Sequence, residues 1–196
     1  MDPFVFFLVL TAAVLHAGWN ALIKSGGDRW VRLGLTNCLG IVLGLVFLPF
    51  VDFPNAEAWP FILSSVAVHQ VYFLFVCLQY RTGDLSHVYP ISRGVAPLMV
   101  AVGAYVFAGE TLSPQGILAV VVISAAIVSL TFSSAWRPGE GMSVFFALCT
   151  GVIIALYSII DGLGGRSAND VAGYIVYLFL IDGLPFGLMV FYLRRR

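Results

Sequence analysis

Charged side chains are scarce in this sequence, and their scarcity excludes an ordinary soluble domain. Only 10% of the 196 residues are Asp, Glu, Lys or Arg, whereas 60% are hydrophobic and the mean hydropathy is +0.98. Soluble domains carry about 25% charged residues. The composition therefore predicts an integral membrane protein with the lipid bilayer as its partner. The formal net charge of zero gives no basic surface for nucleic acid, so no nucleic-acid partner is expected.

Cysteine and histidine are also few, and the usual catalytic motifs are missing. Cys38, Cys77 and Cys149 lie in apolar runs without CxxC spacing, which is typical of small buried hydrophobic residues. Three scattered histidines are too few to predict a metal site, so neither a metal nor another cofactor is expected. Because the sequence has no G-x-S-x-G, H-E-x-x-H or P-loop motif, it predicts neither an enzyme nor an ATP-driven pump.

Long apolar windows dominate the sequence. A helix needs about 20 apolar residues to cross the hydrocarbon core of a bilayer. Seven such windows predict an all-α polytopic bundle of about seven transmembrane helices: Asp2–Lys24, Arg32–Asp52, Glu57–Arg81, Val88–Glu110, Leu112–Trp136, Gly141–Ile160 and Val171–Leu193. The connections are short, so consecutive helices should be antiparallel. Pro114, Pro138 and the glycines at 162–165 are predicted at helix ends and turns.

Lys and Arg are distributed unevenly between the two sides of this arrangement. Arg166 alone lies on one side. The connections after the odd-numbered spans carry the others, with Arg93 nearby: Lys24, Arg29, Arg32, Arg81, Arg137 and Arg194–Arg196. Because cytoplasmic loops are enriched in Lys and Arg, the N-terminus is predicted outside and the C-terminus in the cytoplasm.

A specific pattern of polar residues, glycines and prolines follows the third window. It consists of Tyr80-Arg81, Gly83-Asp84-Leu85-Ser86, Tyr89-Pro90, Arg93-Gly94, Ala96-Pro97 and Gly109-Glu110. The prolines predict a broken helix beside a polar loop, an arrangement that transporters use to place polar groups at a binding site. The pattern resembles the third-to-fourth helix region of EamA-type transporters in the drug/metabolite transporter superfamily. Pro90, Pro97, Gly109 and Glu110 are its structural motif.

The sequence also shows a weak internal repeat at an offset of 138 positions. Ala17 then aligns with Ala155, Trp19 with Tyr157, and Asn20 with Ser158. The resemblance implies two inverted five-helix repeats. The first repeat would occupy residues 1–133, a linker 134–142, and an incomplete second repeat of two helices 143–196. Such a chain is not expected to close a cavity by itself, so a homodimer or a partner chain is expected to complete it.

Polar residues within the apolar windows are candidates for a substrate cavity, because polar groups at membrane depth are costly. His16, Trp19 and Asn20 share a face of the first helix, and their sequence resembles the first helix of the family. The other candidates are His69, Gln70, Tyr72, Tyr89, Arg93 and Tyr157. Hydrogen bonding between helices is the alternative role for the polar residues of the first and third helices.

Four charged residues lie within or beside the apolar windows. Arg93 could meet an anionic substrate, but snorkelling of its side chain to the membrane surface is favoured. Glu110 is interpreted as a cap or turn residue, and Asp161 is expected to end the sixth span at the interface. Asp182 lies near the middle of the seventh span before a glycine, as in family members. It is a candidate coupling carboxylate, and the alternative is a neutral, hydrogen-bonded carboxyl group.

The resemblance implies a secondary active transporter in the bacterial inner membrane. Such a protein would export or exchange small polar metabolites, for example amino acids, by alternating access around a mid-membrane cavity. An inactive or partner-dependent fragment is the main alternative. A seven-helix receptor and an intramembrane enzyme are less favoured. The one lysine, Lys24, is in the wrong helix to bind retinal, and nothing orients Ser92 and His87 as a catalytic pair.

Overall fold

A computed structural model describes residues 3–24, 28–82, 84–133 and 141–194, with side chains at most of these positions, and this part of the chain is all-helical. Its α-helices are α1 Pro3–Lys24, α2 Arg29–Phe47, α3 Trp59–Thr82, α4 Leu85–Ala108, α5 Pro114–Ser129, α6 Gly141–Ser167 and α7 Val171–Arg194. Short 3₁₀ turns, Leu48–Phe50 and Leu130–Ser133, extend α2 and α5.

Six of these helices, α2 to α7, are long and apolar enough to cross a membrane. The chain is therefore a polytopic helical membrane protein. In α1, the apolar stretch is Pro3–Leu15, and the role of α1 as a seventh span stays a prediction. The repeat boundaries also stay predictions, because most of the 134–142 linker lies outside the described residues.

Polar side chains fix where several helices begin. Asp28 accepts a hydrogen bond from the backbone N–H of Trp30 before α2, and Asp84 accepts one from Ser86 before α4. Before α5, Ser113 accepts one from Gly116. These side chains satisfy backbone donors that have no partner within their own helix. Pro114 is in the first turn of α5, as predicted.

The prediction that prolines break the fourth helix is wrong. Pro90 and Pro97 lie inside one continuous helix, α4. Close neighbours support this helix: a Cβ atom added to Gly94 would lie 2.5 Å from Val128 of α5, and one added to Gly151 of α6 would lie 3.0 Å from the Ser92 carbonyl oxygen. This packing holds α4 together although each proline removes a backbone N–H group.

The predicted end of the sixth span is also wrong. Helix α6 continues to Ser167 and includes the glycine-rich segment 162–165 that was expected to form a turn. Gly164 is buried in a site without room for a side chain, because an added Cβ would lie 2.6 Å from both Phe61 of α3 and Tyr174 of α7. The close approach of α3 and α7 therefore favours glycine at this position, although glycine has a low helix propensity.

Helix α6 packs against α3 and α4, α2 packs against α7, and α4 packs against α5. Phe73 and Phe186 are buried in one apolar core, which includes Trp30 stacked on Phe186 at 6.0 Å between ring centroids. A second core surrounds Ile62 and Tyr174. Large apolar residues cover the outward faces, as expected for contact with lipid.

The cysteines are not all buried as predicted: Cys77 is buried, Cys149 is partly buried, and Cys38 is on an exposed face.

Three connections meet at one end of the bundle. The Asp52 N–H donates to Asp170 Oδ2 at 3.1 Å, which joins the α2–α3 connection to the start of α7. Asn55 donates to the Ser167 carbonyl at 3.0 Å. Arg166 of α6 pairs with Glu110, which follows α4, at 2.5 Å. These contacts agree with the antiparallel order of helices predicted from the short connections.

Candidate functional site

Polar residues of α3 and α7 meet at the middle of the bundle. Gln70 and Asp182 each lie near the midpoint of a membrane-length span. The Gln70 side-chain amide donates to Asp182 Oδ1 at 3.0 Å, and His69 Nδ1 lies 3.6 Å from the same oxygen. The His69–Asp182 distance is too long for a hydrogen bond, and the two side chains form an ion pair only when His69 is protonated. The structure therefore brings three predicted candidates together.

A second carboxylate, Asp161 of α6, belongs to this cluster. It interacts electrostatically with both His69 and Asp182, and its Oδ1 accepts a hydrogen bond from the Tyr174 hydroxyl at 2.9 Å. The prediction that Asp161 ends the sixth span is wrong, because α6 continues for six residues beyond it. The location of Asp161 at the interface stays a prediction. Asp161 follows Tyr157 by four residues and so shares its helix face. The four-residue spacing from Tyr157 is the feature of the sequence that would have identified Asp161 as a candidate site residue.

Aromatic rings connect this cluster to α4. The His69 ring lies 4.3 Å from the Tyr157 ring between centroids, and Tyr157 lies 5.6 Å from Tyr72. The hydroxyl groups of Tyr72 and Tyr157 are within hydrogen-bonding reach of the Arg93 guanidinium. A continuous path of polar and aromatic side chains therefore runs from Asp182 to Arg93.

Arg93 points into the bundle, so the prediction that it snorkels to the membrane surface is wrong. Its guanidinium carbon lies 5.5 Å from the centroid of the Tyr89 ring, within the range of a cation–π interaction. This contact and the nearby tyrosine hydroxyls stabilise the cation inside the bundle. Arg93 lies four residues, about one helical turn, from the midpoint of its span.

A groove of about 520 Å³ lies between α4, α5 and α6, and Arg93 lines one end of it. Its walls are mainly apolar and include Val100, Ala104, Val120, Ile154 and Ser158. Glu110 lines the groove beyond the last turn of α4, where it also pairs with Arg166. Between Arg93 and Ala104, α4 rises about 16 Å. The groove therefore connects the interior polar path to the end of the bundle that holds Glu110.

The remaining predicted residues have different outcomes. Glu110 is a turn residue as predicted: its N–H donates to the Ala104 carbonyl at 3.1 Å, next to Gly109 with φ 65°. Only glycine adopts that left-handed conformation readily. The side chains of His16, Trp19 and Asn20 lie outside the described residues, so their place in the site stays a prediction.

Two curated relatives are similar to part of this chain. The multidrug resistance protein EbrB of Bacillus atrophaeus is 32% identical over 79 residues, which are 40% of this chain and 67% of that protein. EbrB of Bacillus subtilis (strain 168) is 30% identical over the same shares of the two chains. No family model matches the chain, and no solved structure matches it significantly. By its similarity to these relatives, this polytopic membrane protein belongs to the family of the multidrug resistance protein EbrB.

Proposed function

We propose that this protein is a secondary transporter that couples the movement of protons to the export or exchange of a small organic molecule. The observation that carries this proposal is the His69–Asp182 pair at the midpoint of the spans, together with Asp161. Ionisable groups at this depth are costly, and they commonly mark proton and ion pathways. The relatives named as multidrug resistance proteins support a transport function.

The geometry supports a coupling mechanism that uses the chain's own side chains. As a carboxylate, Asp182 accepts the hydrogen bond of Gln70 and lies 3.6 Å from His69 Nδ1. A protonated Asp182 loses its charge and gains a hydrogen-bond donor, which changes its interactions with His69 and Gln70. His69 contacts Tyr157, and Tyr157 is near Arg93, which lines the groove. Protonation of Asp182 can therefore affect the groove through these side chains. Proton binding and substrate binding would then influence each other reciprocally.

The finer details of this proposal come from the sequence. The resemblance to EamA-type transporters supports small polar metabolites such as amino acids as substrates. It also supports alternating access between two inverted repeats in the bacterial inner membrane. The distribution of Lys and Arg supports an outside N-terminus and a cytoplasmic C-terminus.

The Asp182→Asn variant tests the proposed coupling. The protein would be reconstituted in liposomes that contain a pH-sensitive dye, and a panel of amino acids and cationic dyes would be added as substrates. We expect substrate-dependent proton movement with the wild type and none with Asp182→Asn, because the amide cannot exchange a proton. Any transport that remains should no longer respond to pH.

The matched control is Glu57→Gln, which replaces an exposed carboxylate in the α2–α3 connection. This variant should retain proton movement. Substrate-dependent proton movement by Asp182→Asn equal to that of the wild type would exclude Asp182 as the coupling group.

A second candidate is a transporter subunit that needs another chain, either a second copy or a partner. The packing of α1 favours it: the contacts of α1 are mainly with α2, and its side chains from Phe4 to Leu15 are all exposed. In this case a further chain would cover α1 and complete the cavity. Transport by the purified monomeric chain in the liposome assay would exclude this candidate.

A further inference from the structure

We infer that the groove between α4, α5 and α6 binds an organic anion, with its carboxylate at Arg93 and its apolar body along Val100, Ala104 and Val120. The inference rests on the proposed function, because it names the chemical class of the transported molecule. The groove residues named here are not proton carriers in the proposed coupling mechanism.

The position of Arg93 supports recognition of a carboxylate. Arg93 lines the groove, and its guanidinium carbon lies 5.5 Å from the centroid of the Tyr89 ring. A guanidinium has five N–H donors in a rigid, planar arrangement that matches the two oxygens of a carboxylate. It can therefore retain the nearby hydroxyls of Tyr72 and Tyr157 and still donate to a ligand.

The charges around the groove favour an anion over a cation. Among the residues that the structure describes, the charged ones in its lining are Arg93 and Glu110. Glu110 already has a cationic partner, Arg166, so its charge is compensated. The acidic residues Asp161 and Asp182 do not line the groove. The wall between Arg93 and Glu110 is uncharged, so no other charge there competes for an anion. The apolar wall also has a low dielectric constant, which strengthens the attraction between Arg93 and an anion.

The size and lining of the groove define the rest of the ligand. A volume of about 520 Å³ is within the range of small-molecule sites, about 300–1,000 Å³. The apolar walls favour an alkyl or aryl group attached to the carboxylate. Ser158 also lines the groove, but its hydroxyl already donates to the Ile154 carbonyl oxygen at 2.7 Å, so it adds no donor for the ligand. An arylalkyl carboxylate therefore satisfies both the charge and the shape of the groove.

A pair of probes with the same body and opposite charge tests this inference. The protein, in nanodiscs of uncharged phosphatidylcholine, would be titrated at neutral pH with 4-phenylbutyrate and with 4-phenylbutylamine. Isothermal titration calorimetry would measure both affinities. We expect the acid to bind about tenfold more tightly than the amine. That ratio of affinities corresponds to the free energy of about one charge-assisted hydrogen bond. Equal affinities, or tighter binding of the amine, would overturn the inference.

Variants then show whether binding occurs in this groove. Arg93→Gln should weaken phenylbutyrate binding about tenfold, and Arg93→Lys should restore part of it because the charge is retained. Val100→Phe keeps Arg93 and fills the groove, so it should also weaken binding. Its matched control is Val106→Phe on the same helix, which is 62% exposed and outside the groove lining. Equal binding by the two phenylalanine variants would overturn the assignment even if Arg93→Gln fails to fold.

The two proposals can fail separately. If phenylbutyrate does not bind but Asp182-dependent proton movement occurs with other substrates, only the anion inference is wrong. If phenylbutyrate binds at Arg93 but no added compound moves protons, the coupled-transport proposal is wrong and the anion site stands.

Discussion

At the scale of single residues, Asp170 connects two distant parts of the chain. Its carboxylate accepts hydrogen bonds from the N–H groups of Ala172 at 2.9 Å and Gly173 at 3.0 Å, at the start of α7. It also accepts one from Asp52 at 3.1 Å, 118 residues earlier. The hydrogen bond from Asp52, followed by those from α7, lowers the pKa of Asp170 below its usual value of 3.8. Asp170 therefore favours folding in its ionised form.

The lowered pKa of Asp170 predicts a specific dependence of stability on pH. A carboxylate whose pKa is lower in the folded state stabilises that state above pH 3.8, and this stabilisation is lost as the pH falls through the lower, folded-state value. Asp170→Asn should therefore melt at a lower temperature than the wild type at neutral pH, and the two melting temperatures should converge on acidification. Thermal unfolding in detergent, followed by intrinsic fluorescence across a pH series, measures this.

The control for this experiment is Glu57→Gln, an exposed substitution in the neighbouring connection. It should leave the melting temperature close to that of the wild type at neutral pH. A melting-temperature difference for Asp170→Asn that stays constant on acidification would contradict the role assigned to the Asp170 charge.

At the scale of helices, apolar length alone predicts α2 to α7 well, because each span must cross the same hydrocarbon thickness. Local glycine and proline signals mispredict the course of α4 and the end of α6. In both cases the deciding contacts come from other helices, such as Val128 beside Gly94 and Tyr174 beside Gly164. These contacts are distant in sequence, so a single sequence does not reveal them.

The candidate site shows the same limit. Gln70 and Asp182 were each predicted from their depth in a span, but 112 residues separate them and nothing in the sequence pairs them. The inward direction of Arg93 depends on tyrosines of α3 and α6 as well as on its own helix. Asp161 was missed because the end of its helix was predicted too early.

The contact between α2 and α7 gives a prediction at this scale. A Cβ atom on Gly183 of α7 would lie 2.5 Å from the Asn37 carbonyl oxygen and 2.6 Å from the Ile41 side chain. Gly183→Ala should therefore push the two helices apart and reduce the free energy of unfolding by about 1–3 kcal/mol. Equilibrium unfolding in mixed micelles would measure the change.

Gly40→Ala on α2 is the matched control, because an added Cβ would meet nothing within 4 Å. It should leave stability unchanged or raise it slightly, since alanine favours helix more than glycine does. Equal stability of the two alanine variants would contradict the close packing of α2 on α7.

At the scale of the whole molecule, the two ends of the bundle differ in charge. The end that joins Asp52, Asn55, Glu110 and Asp170 is mainly acidic, with Arg166 as its basic residue. The connections assigned to the opposite end contain most of the Lys and Arg residues. The contacts among the acidic connections make this a single surface and not three separate loops. The prediction of orientation therefore reduces to one question, namely which end faces the cytoplasm.

Two single cysteines answer that question. Ala56→Cys is on the acidic end, in the α2–α3 connection, and Ser86→Cys is on the basic end, at the start of α4; both positions are exposed. Each would be introduced after Cys38, Cys77 and Cys149 are replaced by alanine. Because Lys and Arg are retained on the cytoplasmic side, a membrane-impermeant maleimide should label Ala56→Cys in intact cells. It should label Ser86→Cys only after the cells are permeabilised. The reverse pattern would place the end of the groove that holds Glu110 on the cytoplasmic side. The direction of substrate movement in the proposed mechanism would then be reversed.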